Sequence, residues 1–189
     1  MGVETAFSQF PNLATRRLRL RQIEVSDAEA LFVIKTDPQV TTGYGQEPHH
    51  SLQDTLDWIR RLQSDYEQCN CLFWCITLAG EQKMIGECTF WNFDPTFQCA
   101  ELGYELHPAY WRQGLMAEAL QTVMDYGFNS LGLHRIEACP YAGNEPSQAL
   151  LLKLGFKYEG NLRQRHFFRG QFLDQLYFGL LKEEWRKPA

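Results

Sequence analysis

Two short stretches bring together residue types that could do chemistry. The first is HPAYWRQGLMAEAL, residues 107–120, where a lone glycine, Gly114, runs into a strongly helical segment with no Ser, Thr, Asp or Asn in place to cap it. The first amides of a helix have no intrahelical partner, and those four side chains commonly supply one. An uncapped start behind a glycine suits an anion such as pyrophosphate, because N–H groups and the positive end of the helix dipole converge there. An ordinary helix capped by water fits the same spacing, and both readings stay open at this point.

The second stretch is NEPS, residues 144–147. Asn144 reads as an N-cap, with Pro146 in the first turn and Ser147 at the third helical position. Capping explains Asn144 fully and Ser147 less well. Among titratable residues, Glu101, Gly103 and Glu105 share one face of the alternating segment CAELGYEL. Solvated glutamates pairing with a cross-strand Lys or Arg are the plain reading. His166 lies beside Arg163, Arg165 and Arg169, where a solvated edge that resists further strand pairing is expected. Tyr44 in TTGYG sits on a glycine-flanked loop between two helices, a place that suits the mouth of a site better than a core.

These residues need elements to hold them. LRLRQ, residues 18–22, alternates as a first strand, and Ser26 with Glu29 forms a capping-box pattern before a helix that ends near Asp37-Pro38. QVTTGYGQEPHH reads as a loop, and Leu52, Leu56, Ile59 and Leu62 recur at helical spacing from Ser51 to about Tyr66. CLFWCITL, the turn AGEQ and KMIGECTFWNF predict a hairpin, with CAELGYEL as the next strand of a meander. After Gly114, Met116, Ala119, Leu120, Val123, Met124 and Gly127 form one buried stripe. The strand HRIEAC, a short helix from NEPS to Gly155 and a two-stranded ribbon turning at Arg169-Gly170 complete the chain. The predicted order is β-α-α-β-β-β-α-β-α-β-β, a mixed α/β (α+β) fold in one domain over residues 1–189.

The bulk properties exclude several classes. A net charge of −5 argues against a nucleic-acid partner and is easier to reconcile with a cationic or amine substrate. The first residues lack a basic segment followed by an apolar run, and no run reaches the roughly 18 apolar residues of a membrane span, so a cytoplasmic address with no membrane partner is expected. The six cysteines form no CxxC pair. Cys69, Cys71 and Cys75 group with the apolar strand, without a histidine at ligand spacing, and read as small buried hydrophobes. GxxxxGK[ST] and HExxH are absent, and no metal is expected. Nothing in the pattern sets an oligomeric state.

The order of elements, together with ELGYELHPAYWRQGLMAEAL and NEPSQALLLKLGFKYEG, resembles the GNAT N-acetyltransferases, in particular their RimJ/RimL-like branch. The resemblance runs from TRRLRLRQIEVSDAEALF to LLKEEW, nearly the whole chain. It implies a central, mostly antiparallel mixed sheet that splays between its fourth and fifth strands, and acetyl-CoA as co-substrate. Its pyrophosphate would lie on the backbone amides of Arg112, Gln113, Gly114, Leu115 and Met116. Met116 departs from the Gly or Ala common in the family at that place, and Trp111 from the Gln or Arg of the wider superfamily. By the same resemblance, Asn144 would contact the pantetheine arm and Ser147 would sit near the thiol.

The chemistry of acetyl transfer then assigns roles. The oxyanion needs an amide donor where the strands part, Leu106 or its neighbour His107. Ser147 would protonate the leaving thiolate, and Glu101, placed like the strand-four glutamate of some GNAT enzymes, would take a proton from the amine. Tyr44 and His166 would line the acceptor's site. An α-amine with a pKa near 7.8 is roughly a tenth neutral at pH 7, and a lysine is far less so, which favours an N-terminal acceptor over a side-chain one. Acetylation of protein N-termini such as those of ribosomal proteins is what the branch implies. Small amines and antibiotics, or a module that binds acetyl-CoA without turnover, are the alternatives.

Overall fold

The computed structural model describes residues 3–45 and 47–186. Eight strands form one sheet in the order β1-β2-β3-β4-β5-β6-β8-β7. They are β1 (Leu13–Ala14), β2 (Leu18–Gln22), β3 (Leu72–Leu78), β4 (Met84–Asp94), β5 (Cys99–Leu106), β6 (Arg135–Ala138), β7 (Lys157–Phe168) and β8 (Gln171–Leu181). All neighbours are antiparallel except β5 and β6, which run parallel. The short β1 shifts the count by one, so the expected fourth and fifth strands are β5 and β6.

The helices are α1 (Val3–Ser8), α2 (Ala28–Thr36), α3 (Pro38–Tyr44), α4 (Leu52–Glu67), α5 (Leu115–Tyr126) and α6 (Glu145–Lys153). They cover both faces of the sheet. On one face Leu72, Trp74 and Ile76 of β3 join Phe90, Leu102 and the stripe of α5 in the larger core. On the other, Phe73 and Cys75 pack with Leu31 and Ile34 of α2 and Ile59 and Leu62 of α4. β3 therefore reads as a nearly continuous apolar run because neither face meets water. Burying such side chains contributes roughly 1.5–3 kcal/mol each, which is what fixes the strand register against the helices.

Three local expectations need correction. QVTTGYGQEPHH is not all loop: Pro38–Tyr44 is helical, started by Asp37, whose side chain accepts from the Gln39 amide, and stopped by Gly45 at φ 60°. Among its described side chains only Val40 belongs to an apolar core cluster, so no periodicity announces the helix. The capping box before α2 is formed by Glu24 and Asp27 rather than Ser26 and Glu29. Asp27 is recruited because Arg21 holds its carboxylate with two bonds of 2.7 Å. Cys69 lies outside β3 and is exposed, with Cys99 and Cys139 half-buried; only Cys71, Cys75 and Cys88 are fully buried.

Candidate active site

β5 and β6 stay paired only through Glu101 and Glu137, and beyond them the sheet opens. The cleft so formed, of about 530 Å³, is lined by Glu101, Tyr104, Glu105, Asn144, Ser147 and His166 among others. Backbone groups face it from one side. The His107 amide donates to the Ile85 carbonyl at 2.9 Å, so it is engaged within the β4–β5 ladder and is not free to receive an oxyanion. Alternation along an antiparallel ladder then turns the N–H groups of Tyr104 and Leu106 to the open side. The Leu106 carbonyl, facing the same way, accepts from Trp111 Nε1 at 2.6 Å. Gly86 makes this approach of the strands feasible: a Cβ there would meet the Glu105 carbonyl oxygen at 2.5 Å.

The loop from β5 to α5 has two left-handed residues, Arg112 at φ 59° and Gly114 at φ 73°. Residues in such alternating conformations point successive amides into one concavity. No side chain caps α5, and its first internal bond is Glu118 N–H to the Gly114 carbonyl. Arg17, from the turn before β2, donates to the Gln113 carbonyl at 2.9 Å and pairs with Glu118 at 2.6 Å, which ties the loop to the first turn of the helix. Leu115 and Met116 are buried, Met116 Sδ lying 3.8 Å from Cys88 Sγ. The departure at Met116 thus fills the core beneath the loop and leaves its amides unobstructed.

α6 supplies the opposite wall. Asn144 is its N-cap, as expected, accepting from the Ser147 amide at 3.2 Å while its Nδ2 donates to the Gly43 carbonyl at 2.6 Å. Capping and tethering of α3 therefore occupy both ends of this side chain, with one N–H and one lone pair to spare. Ser147 Oγ lies 2.7 Å from Tyr104 Oη. Burial raises the Tyr104 phenol above its ordinary value, so the ring stays protonated and able to donate. The His166 ring lies tilted against Tyr141, centroids 5.1 Å apart, and the Tyr141 ring also packs against Gly45. The side chain of Tyr44 lies outside the described residues.

Glu101 and Glu105 differ more than their shared strand face suggests. Glu101 is half-buried and accepts from Asn92 at 2.9 Å; burial raises its carboxyl, and hydrogen bonds partly offset that rise. Glu105 is not solvated. It is 7% exposed, its cross-strand neighbour is another acid, Glu87, and its lysine comes from a helix: Lys35 of α2, 2.6 Å away. Lys35 also lies 3.3 Å from Glu87 and 5.5 Å from the centre of the Trp58 ring. Desolvation lifts the Glu87 carboxyl well above the ordinary range, Lys35 opposing and Glu105 reinforcing the rise.

The parallel pair β5 and β6 thus parts above a helix start that no described side chain caps. A family model described as "Acetyltransferase (GNAT) domain" matches residues 17–157, well over half of the chain. The chain is a GNAT acetyltransferase. Among its relatives, the uncharacterized N-acetyltransferase YoaA of Bacillus subtilis (strain 168) is 38% identical, over 92% of this chain and 98% of that one. YdaF of the same organism, whose name marks it a candidate ribosomal N-acetyltransferase, is 28% identical over 89% and 93%. Among solved structures, RimJ of Mycobacterium smegmatis in complex with CoA-disulfide is 27% identical, with a TM-score of 0.78 over 88% of this chain and 83% of that one.

Of the residues that the sequence led one to expect in this GNAT acetyltransferase, Glu101, Asn144, Ser147 and His166 line one cleft, and Arg112 to Met116 lead from the β5–α5 loop into α5. Tyr104, Lys35, Glu87 and Trp58 line the cleft as well, and Arg17 braces its loop, although the sequence pattern assigned none of them to it. Tyr104 could have been found from the same alternation that paired Glu101 with Glu105, since it falls on the opposite face, toward α6. The others carry no local signal, because each reaches the site only through the tertiary fold. Among the described residues no helix is long and apolar enough to cross a membrane.

Proposed function

We propose that this acetyltransferase moves the acetyl group of acetyl-CoA directly to a primary amine, and that the amine is the α-amino group of a peptide or protein N-terminus. The observation that carries the reading is the Ser147–Tyr104 contact of 2.7 Å between two residues that line the cleft. Acetyl-CoA would supply the activated thioester. The amides of Arg112, Gln113, Gly114, Leu115 and Met116 would hold its pyrophosphate, and Asn144 would use its remaining N–H or lone pair toward the pantetheine arm. The Leu106 amide, or that of Tyr104, would stabilise the oxyanion as the C–N bond forms. As the C–S bond breaks, Ser147 would pass its hydroxyl proton to the sulfur and be replenished by Tyr104. Glu101 would take the proton lost by nitrogen, with His166 and Tyr44 at the acceptor's entrance.

An α-amine is favoured over a lysine because its pKa is close to what a half-buried carboxylate of raised pKa can deprotonate. The name carried by YdaF points the same way. The test is release of free thiol from acetyl-CoA with Ser- or Ala-starting peptides, blocked-terminus lysine peptides, polyamines and an aminoglycoside, with mass spectrometry to locate the acetyl group. Acetylation of the α-amine, sharply reduced in Ser147→Ala, is the expected result. Modification of only a small amine would move the acceptor to that class. Acetyl-CoA binding with no turnover on any of them would favour a non-catalytic module.

A further inference from the structure

The acceptor side of the cleft contains a group that the transfer reaction leaves unused. Glu87 on β4, Glu105 on β5 and Lys35 on α2 are each at least nine-tenths buried and all line the cleft, with Trp58 of α4 beside them. Two carboxylates there face one ammonium. Glu87 Oε1 is bonded to Lys35, but Glu87 Oε2 is buried without a hydrogen-bond donor. Glu105 Oε1 pairs with Lys35 Nζ at 2.6 Å and has no further donor among the described residues. The carboxylates interact with each other as well. Trp58 Nε1, in the same wall, is buried and unpaired. His49, a further titratable group that feels both Lys35 and Glu105, is engaged with Thr55 at 2.8 Å, and burial and Lys35 both lower its pKa, so it does not supply the missing charge.

A buried carboxylate oxygen without a donor is costly, and two like charges a strand apart are more so. The pair is short of one N–H or O–H and of one positive charge. The rest of the cleft does not make up the deficit: Asp65 and Glu101 add two more acids to its lining, and Lys35 is its one lysine or arginine among the described residues.

We propose that Lys35, Glu87 and Glu105 form an ammonium-binding subsite of the acceptor cleft, in which a protonated amino group of the acceptor donates to the Glu87–Glu105 pair. In the empty cleft a proton shared by the carboxylates fills the same gap, and an arriving ammonium displaces it. The group held is either the reacting amine before it loses its proton, or a second cation of the acceptor. Glu105 and Glu101 lie four residues apart on one strand face, about 13 Å at 3.3 Å per residue, enough for an acceptor with two separated amines to span. The inference rests on the transferase reading only in taking this side of the cleft as the acceptor's.

The test is calorimetric titration of the purified protein, with and without saturating CoA, using 1,4-diaminobutane and butylamine as probes. Glu87→Gln and Glu105→Gln serve as variants. Each glutamine offers its partner the missing N–H, so both should fold. The diamine should bind the wild type and bind each variant at least about tenfold more weakly, the usual scale for loss of a charge-assisted bond. Binding to the wild type should also release a proton, seen as a heat that depends on the buffer's ionisation enthalpy, and that dependence should vanish in Glu87→Gln. Butylamine binding as tightly as the diamine would assign the subsite to the reacting amine, and weaker binding to a second cation; both keep the subsite. Failure of the diamine to bind the wild type in either state, or equal binding by wild type and variants, overturns it. Failure of CoA to bind would instead sink the transferase reading, while the titration of the CoA-free protein would still report on the subsite.

Discussion

The two walls of the cleft are built from different materials. The wall proposed to hold the cofactor consists of backbone: open amides on β5, a loop with left-handed residues at Arg112 and Gly114, and a helix start without a side-chain cap among the described residues. The wall proposed for the acceptor consists of side chains delivered by α2, α4, β4 and β5 onto one buried spot. A backbone site is local in sequence and tolerates change in the side chains around it, as Met116 shows by packing into the core. A side-chain site is assembled over long separations and depends on each partner. The comparison teaches that the first wall should resist point substitution and the second should not.

The largest test of that contrast is Lys35→Met. Removing one partner from a buried ionic cluster leaves uncompensated charge, typically at a cost of about 3–5 kcal/mol. Urea unfolding should show a loss of that size, and Glu87→Gln in the same background should recover part of it. By itself, Glu87→Gln should change how stability depends on pH. The folded protein holds the Glu87 proton more tightly than the unfolded chain does, because its pKa is raised on folding. Stability is therefore greatest below the ordinary carboxylate value and falls as pH climbs toward the raised one. The variant should lack that decline, and an identical pH profile would show that Glu87 ionises freely.

Next in size is Ser147→Ala, where the proposed role puts a single hydroxyl at the leaving sulfur. Turnover should fall on the order of 10²-fold, about 2.7 kcal/mol, with CoA affinity held within twofold. The split between kcat and binding distinguishes a proton donor from a helix residue that only helps Asn144 cap. Tyr104→Phe should give the same direction with a smaller loss. An equal fall in CoA affinity would move Ser147 to the binding wall.

Gly114→Ala comes third. The nearest atom to an added Cβ is Arg17 Nη2 at 3.6 Å, an ordinary contact, so the penalty comes from φ 73° alone. A left-handed non-glycine residue costs roughly 1–2 kcal/mol. CoA binding should weaken by about tenfold if the loop shifts to relieve that strain, and thermal unfolding should show the cost if the loop holds.

The same contrast explains what the sequence made legible. Strands and helices with clear periodicity were found, including the stripe of α5 and the ribbon that closes the sheet. So were the residues held by a local rule: Gly114 at an uncapped start, Asn144 at a cap, and Glu101 on an alternating strand. α3 escaped because a seven-residue helix with one core contact among its described side chains has no periodicity to detect. Lys35, Glu87 and Trp58 escaped for a deeper reason. A lysine in AEALFVIKT and a glutamate in MIGECTF look like ordinary solvated residues, and only the packing of α2 across β4 and β5 makes them partners. Glu105 was seen and misread: alternation gave its face correctly but could not show that a helix covers that face.

The smallest expected effect belongs to the one side chain on which the backbone wall leans. Arg17 binds the Gln113 carbonyl and Glu118 across the loop, with its side chain 37% exposed. A partly exposed ion pair of this kind contributes about 1 kcal/mol or less. Arg17→Met keeps the apolar stem and removes the charge, so unfolding free energy should fall by no more than that, and CoA affinity by a few-fold. If the left-handed residues alone shape the loop, raising the salt concentration should weaken CoA binding to wild type and variant in parallel, since both still present the same amides to the phosphates. A tenfold or greater loss of affinity in Arg17→Met would instead show that the loop is held open by a contact spanning from residue 17 to residue 118. The cofactor wall would then be assembled, like the acceptor wall, from parts that the sequence keeps far apart.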